Sequence, residues 1–435
     1  MKPLCFFAFL MLAGQAAAEN WPQWRGPSRD GISPEKNLPE VWGPEQNIRW
    51  RAPLAGLGTS TPVIWEDLVF LTSQLGMGPI DRRGAEFDEG VTVKDYTRED
   101  NRITFVVQAF AHKDGRQVWE HRFDAVDLSG SLPSVHPKHN FATPSTTTDG
   151  ELVYAWVGTG QLVALTLKGD LVWSRHIGRD YAPFHVLWGH GSSPMLYRDT
   201  LILLCDHPPG AYLIALDKTN GKELWKVARG KGIRSYSTPF VVPGPEGDEL
   251  VVNSSHRIEV YDPKTGELLW HVGEPVTLAI GVPVYANGIL YASRGYSSGP
   301  YSAIRLGGRG DVNASHVEWH VPTRAPYISS LLYYNEKIFM ATERGIASVV
   351  DAKNGETLWR ERLGGAFTAS PVAADGKVYL LNESGETFVF EASAPPKLVS
   401  RNRLEERTLA SPAISGGTLF IRTDAHLVAI GATRR

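Results

Sequence analysis

The sequence has 435 residues and a formal net charge of −3, with lysine plus arginine (44) nearly matching aspartate plus glutamate (47). A balance of this kind makes no broad field, so it excludes nucleic acid and an anionic membrane surface as partners recognised by charge. With 43 glycines, 29 prolines and 13 tryptophans, the composition favours many short strands joined by tight turns over helical packing.

Residues 1–18 read as a secretory signal peptide. Lys2 gives a positive start, Leu4 to Leu12 is a compact apolar run, and Ala16-Ala17-Ala18 offers small residues for cleavage. Cleavage near Ala18 predicts a periplasmic or extracellular protein. No cysteine follows the apolar run where a lipid anchor would attach, and no other stretch approaches the ~20 apolar residues of a transmembrane span. After cleavage only Cys205 remains, within the apolar run Leu201 to Cys205. It reads as a small buried hydrophobe, so the fold must be held by its core without an intramolecular disulfide.

Residues 19–46 form an expected arm, rich in proline and anchored by Trp21 and Trp24 in Trp21-Pro22-Gln23-Trp24-Arg25-Gly26-Pro27. Residues 47–435 form the body. Its first strand, Asn47-Ile48-Arg49-Trp50-Arg51-Ala52, has no preceding turn. An insertion, Gly76 to Arg102, carries mixed charge (Asp81, Glu86, Asp88, Glu89, Asp95, Glu99 and Asp100 among arginines and a lysine) and reads as a solvated excursion or partner surface.

The body is periodic. A small residue pair followed by Pro recurs as Ser60-Thr61-Pro62, Ala142-Thr143-Pro144, Ser192-Ser193-Pro194, Ser237-Thr238-Pro239, Gly281-Val282-Pro283, Ala369-Ser370-Pro371 and Ala410-Ser411-Pro412. Ser329-Ser330-Leu331 keeps the position without the Pro. Each opens a hairpin pattern such as Pro371 to Leu381, with Asp375-Gly376 at its turn. Proline suits a strand's first residue, where its missing N–H costs no ladder bond. The spacing of about 45 residues is that of a four-stranded propeller blade.

A second recurring signal is a turn glycine followed four residues later by tryptophan. Examples are Ala215-Leu216-Asp217-Lys218-Thr219-Asn220-Gly221-Lys222-Glu223-Leu224-Trp225 and the equivalents ending in Trp119, Trp173, Trp270 and Trp359. Trp319 holds the same strand after a longer turn, whereas the seventh unit has Lys397-Leu398-Val399. The eighth unit stops at Gly431 one strand short, and the orphan strand bearing Trp50 supplies what is missing. The expected fold is therefore all-β, an eight-bladed β-propeller of four-stranded antiparallel blades closed by its N-terminal strand, which removes free sheet edges. The tryptophans Trp50, Trp119, Trp173, Trp225, Trp270, Trp319 and Trp359 are expected to dock blade on blade, since such rings dominate packing energetics.

The repeat Ala-x-Asp-x-x-x-Gly-x-x-x-Trp resembles that of the pyrroloquinoline-quinone (PQQ)-like eight-bladed propellers over residues 47–431, and Trp21 to Ser33 resembles the opening of a secreted branch of that superfamily. The superfamily contains quinoprotein alcohol and glucose dehydrogenases and the non-enzymatic outer-membrane-assembly lipoprotein BamB. The enzymatic branch implies PQQ held between a tryptophan and a disulfide of adjacent cysteines, beside Ca²⁺ on carboxylates. This sequence has no Cys-Cys pair, and no acidic cluster at the strand starts that would face the funnel. A calcium site needs six to eight oxygens. PQQ is therefore not expected as a cofactor, and no metal is assigned.

Candidate ligand-contacting residues lie just before the repeat starts, where segments enter the innermost strands: His136, His139, Asn140, His185, His190, Arg234, Tyr327 and Phe367, with Trp188, Tyr236 and Arg407 nearby. Such loops line one mouth of a propeller channel, and the histidines with Arg234 would suit an anionic ligand, or a zinc or copper ion. No Gly-x-Ser-x-Gly, P-loop or His-Glu-x-x-His occurs. The sequence thus points to an exported, monomeric scaffold that binds an unknown protein or small molecule without catalysis. The alternative is a PQQ-dependent dehydrogenase using the central funnel.

Overall fold

The computed structural model describes residues 19–76, 103–125, 135–136, 138–182, 184, 189–208 and 210–431. Residues 1–18, expected as a signal peptide, the insertion beyond Gly76, His185 and Trp188 lie outside the described residues.

Strand formation follows the local sequence. Asp375-Gly376 and Asn287-Gly288 turn with both φ angles positive (51° and 71°, 51° and 82°), the left-handed pair that joins two adjacent antiparallel strands without splaying them. The Asp375-Gly376 turn links the short first strand Val372–Ala374 to Lys377–Leu381, which is apolar and buried after its first residue. Second and third strands are buried on both faces because each blade is covered by its neighbours. Fourth strands alternate instead: Gln117–Asp124 and Glu223–Gly230 expose every other residue.

The described residues build eight sheets of four antiparallel strands, one of which, blade 4, gains a short fifth strand, Gly310–Asp311, lying parallel to Leu268–Val272. Blade 1 is Val63–Trp65, Leu68–Leu75, Thr104–Ala111 and Gln117–Asp124. Blades 2 to 7 repeat this order, beginning at Thr147–Thr148, Met195–Tyr197, Phe240–Gly244, Val284–Ala286, Leu332–Tyr334 and Val372–Ala374. Blade 8 takes three strands from the end of the chain (Ala413–Ser415, Thr418–Arg422, His426–Ile430) and its fourth, Ile48–Pro53, from the beginning. Trp50 pairs with Ala429 and Pro53 with His426. The ring is the eight-bladed propeller expected from the repeat, closed as expected.

The blades are keyed together by their tryptophans. Trp119 donates its indole N–H to the Leu167 carbonyl of blade 2 at 2.8 Å, Trp173 to Lys218 of blade 3 at 2.9 Å, and Trp319 to Ala352 of blade 6 at 3.0 Å. Each ring lies over the turn glycine of that next blade. A Cβ on Gly221 would fall 2.7 Å from the Trp173 ring, and one on Gly266 2.7 Å from that of Trp225. The recurrent turn glycine thus pairs a positive φ with a flat surface that the tryptophan of the preceding blade can cover. Trp270 departs from this: its indole binds Glu249 at 3.1 Å, and its ring stacks on His316, in the longer loop of blade 5. Opposite each of these tryptophans the third strand carries a register shift, beside Ala109, Ala164, Ala215, Val260, Ala303 and Val349. A bulge there re-aims the large side chain toward the neighbouring blade.

A ring of hydroxyls ties the blades together at the channel. The Thr61 N–H donates to Ser145 Oγ (2.9 Å), Ser145 N–H to Ser193 Oγ (3.0 Å) and Ser193 N–H to Thr238 Oγ1 (3.0 Å). The series resumes with Val282 N–H to Ser330 Oγ, Ser330 N–H to Ser370 Oγ and Ser370 N–H to Ser411 Oγ, at 2.9 to 3.0 Å. The recurrent Ser/Thr before each first strand is thus a donor-satisfying group where backbone would otherwise be buried unpaired. Of the two gaps between these arcs, the one after Thr238 falls at Val282, which has no hydroxyl to offer.

Candidate functional site: the channel mouth and its floor

The arm closes one end of the channel. Trp21 pairs with Ile64 of blade 1, the Pro22 carbonyl accepts from Thr148 of blade 2, and Arg29 reaches the Leu196 carbonyl of blade 3 at 2.9 Å. Arg25 donates to the Leu331 carbonyl at the start of blade 6 (2.7 Å), Ile32 pairs with Ala373 of blade 7, and Glu35 accepts from Gly416 and Gly417 of blade 8. Contacts spread around the ring in this way place the arm across the channel. Trp21 and Arg25 are fully buried. Burial pulls the Arg25 guanidinium down to about 10, with Asp30 opposing.

Above this floor the channel opens into a cavity of about 1430 Å³ that Trp24 of the arm helps to line. Its wall is the hydroxyl ring, and its rim carries Lys138, Arg344, Arg362, Arg407, Glu343 and Glu383. The rim charges are not equivalent. Lys138 pairs with Glu383 at 2.9 Å, joining the segment that precedes blade 2 to a loop of blade 7, and Thr368 also donates to Glu383. Glu343 accepts the Tyr327 N–H at 3.3 Å. Arg344 donates to Ser297 Oγ at 2.8 Å, and Arg362 to the Arg344 carbonyl at 2.8 Å. Arg407 binds Asp424 at 3.3 Å through Nη1, while its Nη2 is shielded from solvent and has no hydrogen-bond partner. The rim thus holds four cationic side chains and two carboxylates; Glu383 already neutralises Lys138, and Asp424 just behind the rim pairs with Arg407.

Of the residues singled out in the sequence, His136, His139, Tyr236, Tyr327 and Arg407 line this cavity. Tyr327 meets Tyr296 edge to face at 4.8 Å. Asn140 is buried, its side-chain oxygen accepting from the Ala142 N–H at 3.0 Å. Phe367 is buried against Phe388, and the Arg234 N–H donates to Ser255. His190 is buried 4.3 Å from the Trp156 ring and 5.2 Å from Phe184. Lys138, Glu383 and Arg344 carry no repeat signature, and their convergence depends on which loops face the mouth.

The histidines have little capacity as bases. His139 is engaged on both nitrogens, Nε2 with the His190 carbonyl at 3.1 Å and Nδ1 with the Thr143 hydroxyl at 2.9 Å. Burial lowers its pKa to about 4 and that of His190 to about 3, with neighbouring histidines adding to the effect. A neutral imidazole this weakly basic removes a proton from Thr143 poorly at neutral pH. No group of three or more His, Cys, Asp or Glu side chains converges as a metal site among the described residues. The quinone-and-calcium arrangement also finds no fit in the donor set. Cys205 is the single described cysteine and is buried, and the two rim carboxylates are already held by Lys138, Thr368 and Tyr327.

Ring, floor and rim together define a propeller with a blind, polar, cation-rimmed cup. The chain belongs to the PQQ-like repeat family described as outer membrane protein assembly factor BamB, whose model matches residues 44–182, 104–319 and 343–434. It is 22% identical over 335 residues to BamB of Moranella endobia, covering 73% of this chain and 78% of that protein. It is also 28% identical over 269 residues to tetrathionate hydrolase of Acidithiobacillus ferrooxidans, covering 57% of this chain. The match spans only half the length of that hydrolase. Among solved structures, BamB from Moraxella catarrhalis superposes with a TM-score of 0.55 at 15% identity, over 92% of this chain and 98% of that one. A europium-containing methanol dehydrogenase superposes at 0.64 with 10% identity, over 95% and 89%. These structural likenesses establish the fold.

Proposed function

We propose that this protein is an exported binding scaffold whose channel mouth receives a polar, anionic ligand, either a small oxyanion or carboxylate compound or an acidic segment of a partner, and does not transform it. The observation that carries this reading is Arg407, a cationic wall residue whose sheltered Nη2 has no partner. Nη1 holds Asp424, so Nη2 can donate to an incoming oxygen acceptor without breaking that pair, and a charge-assisted bond of this kind is stronger than a neutral one. Arg344 and Arg362 reinforce the positive rim, and the arm beneath makes the cup blind, which suits capture rather than passage. The weak basicity of His139 and His190 favours binding over acid–base chemistry.

The test uses citrate, tetrathionate (for which one relative is named) and glucose as probes, followed by thermal melting at constant ionic strength. The anions should raise the melting temperature of the intact protein and glucose should not, and Arg407→Gln should abolish the response. Equal behaviour of all three probes, or turnover of tetrathionate, would contradict the reading.

A further inference from the structure

The start of the arm presents an arrangement that the channel does not explain. The backbone nitrogen of Glu19 donates to Glu35 Oε1 at 3.0 Å. The same Glu35 carboxylate accepts the Gly416 and Gly417 N–H groups of blade 8, at 2.7 and 2.6 Å. Ser33 Oγ donates to Glu19 Oε2 at 2.9 Å. Two carboxylates, Glu19 and Glu35, therefore share one half-buried spot. Among the described residues no lysine or arginine lies within ion-pair distance of either. Burial holds the Glu19 carboxyl above its usual range, with Ser33 opposing and Glu35 and Asp30 adding to it. The Glu19 nitrogen itself stands against the Glu35 carboxylate, where a positive charge would be stabilised. The residues before it are Ala16-Ala17-Ala18.

We propose that leader removal occurs between Ala18 and Glu19, and that the new Glu19 ammonium forms an ion pair with Glu35 that pins the channel-floor arm onto blade 8. The step is hydrolysis by a leader peptidase: water adds across the Ala18–Glu19 peptide bond, Ala18 leaves as a carboxylate and Glu19 keeps the protonated amine. An uncharged peptide N–H becomes a charged donor at the same position, and charge-assisted bonds are roughly twice as strong as neutral ones. The arm is thus seated more firmly in the processed chain than in any chain with residues ahead of Glu19. The inference stands on Glu19, Ser33 and Glu35 and is independent of what the channel binds.

The experiment begins with the intact mass of the exported protein, which should correspond to a chain starting at Glu19. Three full-length mature preparations are then compared for trypsin cleavage in the arm after Arg25 and Arg29: one starting at Glu19, one with Nα-acetylated Glu19, and one with a Gly-Ser extension. The free amine should slow cleavage by about fivefold relative to both others, the factor expected from one charge-strengthened contact. In a Glu35→Gln background, which keeps an acceptor for the glycine N–H groups, the three rates should converge. A different mature first residue would overturn the inference. So would equal cleavage rates with and without the free amine, or an amine effect that survives Glu35→Gln.

Discussion

Trp50 donates its indole N–H to the His112 carbonyl at 3.1 Å, and its ring lies so close over Gly115 that a Cβ there would meet Cε3 at 2.4 Å. The first residues of the body are thereby keyed to blade 1 while their strand completes blade 8. This joint closes the ring, and the pairs Trp119–Gly169, Trp173–Gly221 and Trp319–Gly355 repeat it.

Gly115→Ala should therefore be more damaging than an ordinary glycine substitution. It meets the indole and also forces a side chain onto φ of +71°. A loss of about 2–4 kcal/mol is expected, combining overpacking with left-handed backbone strain. Trp50→Phe should cost about 1 kcal/mol for the lost hydrogen bond plus a modest packing loss. Urea denaturation measures both, and a Gly115→Ala protein as stable as the parent would contradict the docking account.

The hydroxyl ring makes a similar prediction at smaller scale. Ser370→Ala leaves the Ser330 N–H without its 3.0 Å acceptor, and an unmade buried donor costs about 1–3 kcal/mol. Ser384→Ala, which removes only a local bond to Asn382, should cost under about 1 kcal/mol. The difference between the two melting curves tests the ring, because both substitutions remove the same atom.

Acid sensitivity follows from His139 and His190. Their folded pKa values, about 4 and about 3, lie below the ordinary histidine value of 6.5. Groups depressed on folding contribute stability that is fully present above the unfolded pKa and is lost as pH falls toward the folded value. Between about pH 6 and pH 4 each histidine should therefore remove up to about 1.4 kcal/mol per pH unit. His190→Asn should reduce that slope by about one proton, whatever its effect on stability at neutral pH. A slope unchanged by the substitution would show that His190 titrates normally.

Much of the ring is legible in the sequence because it is built from local rules. Glycine with positive φ, Asp-Gly hairpins and Pro at strand starts each act within a dozen residues, and their recurrence reveals the eightfold plan along with the closing role of the Trp50 strand. The bulges opposite the tryptophans leave no comparable mark, since alanine at 109, 164, 215 and 303 looks like any small strand residue. The course of the arm is less legible still. Arg25 meets Leu331 across 306 positions, and no periodicity encodes which carbonyl lies beneath it. The mouth falls between these cases. Position before the first strand brings His136, His139, Tyr236, Tyr327 and Arg407 to the cavity wall, but the same position leaves Asn140 and Phe367 folded inward, because facing depends on local turns. The pair Lys138–Glu383 joins residues 245 apart and is visible only once the ring is closed.

That pair gives the mouth a predicted sign. Glu383→Gln releases Lys138 from its carboxylate and should strengthen anion binding several-fold, whereas Lys138→Gln should weaken it, since one rim charge changes in each case. Stability should fall in both variants, because the two side chains are only 12 and 13% exposed and removing one partner leaves the other poorly solvated, so affinity is compared on folded protein well below either melting temperature. Opposite shifts in citrate affinity at matched ionic strength are the expected outcome. Equal or absent shifts would remove Lys138 from the site.

The most direct test of the central claim is calorimetric titration of citrate into the intact protein and its Arg407→Gln variant at low salt. The account predicts saturable binding with unit stoichiometry in the first, weakening as salt screens the rim charges, and at least a tenfold loss in the second. No binding to the native protein, or the same affinity in both, would contradict it.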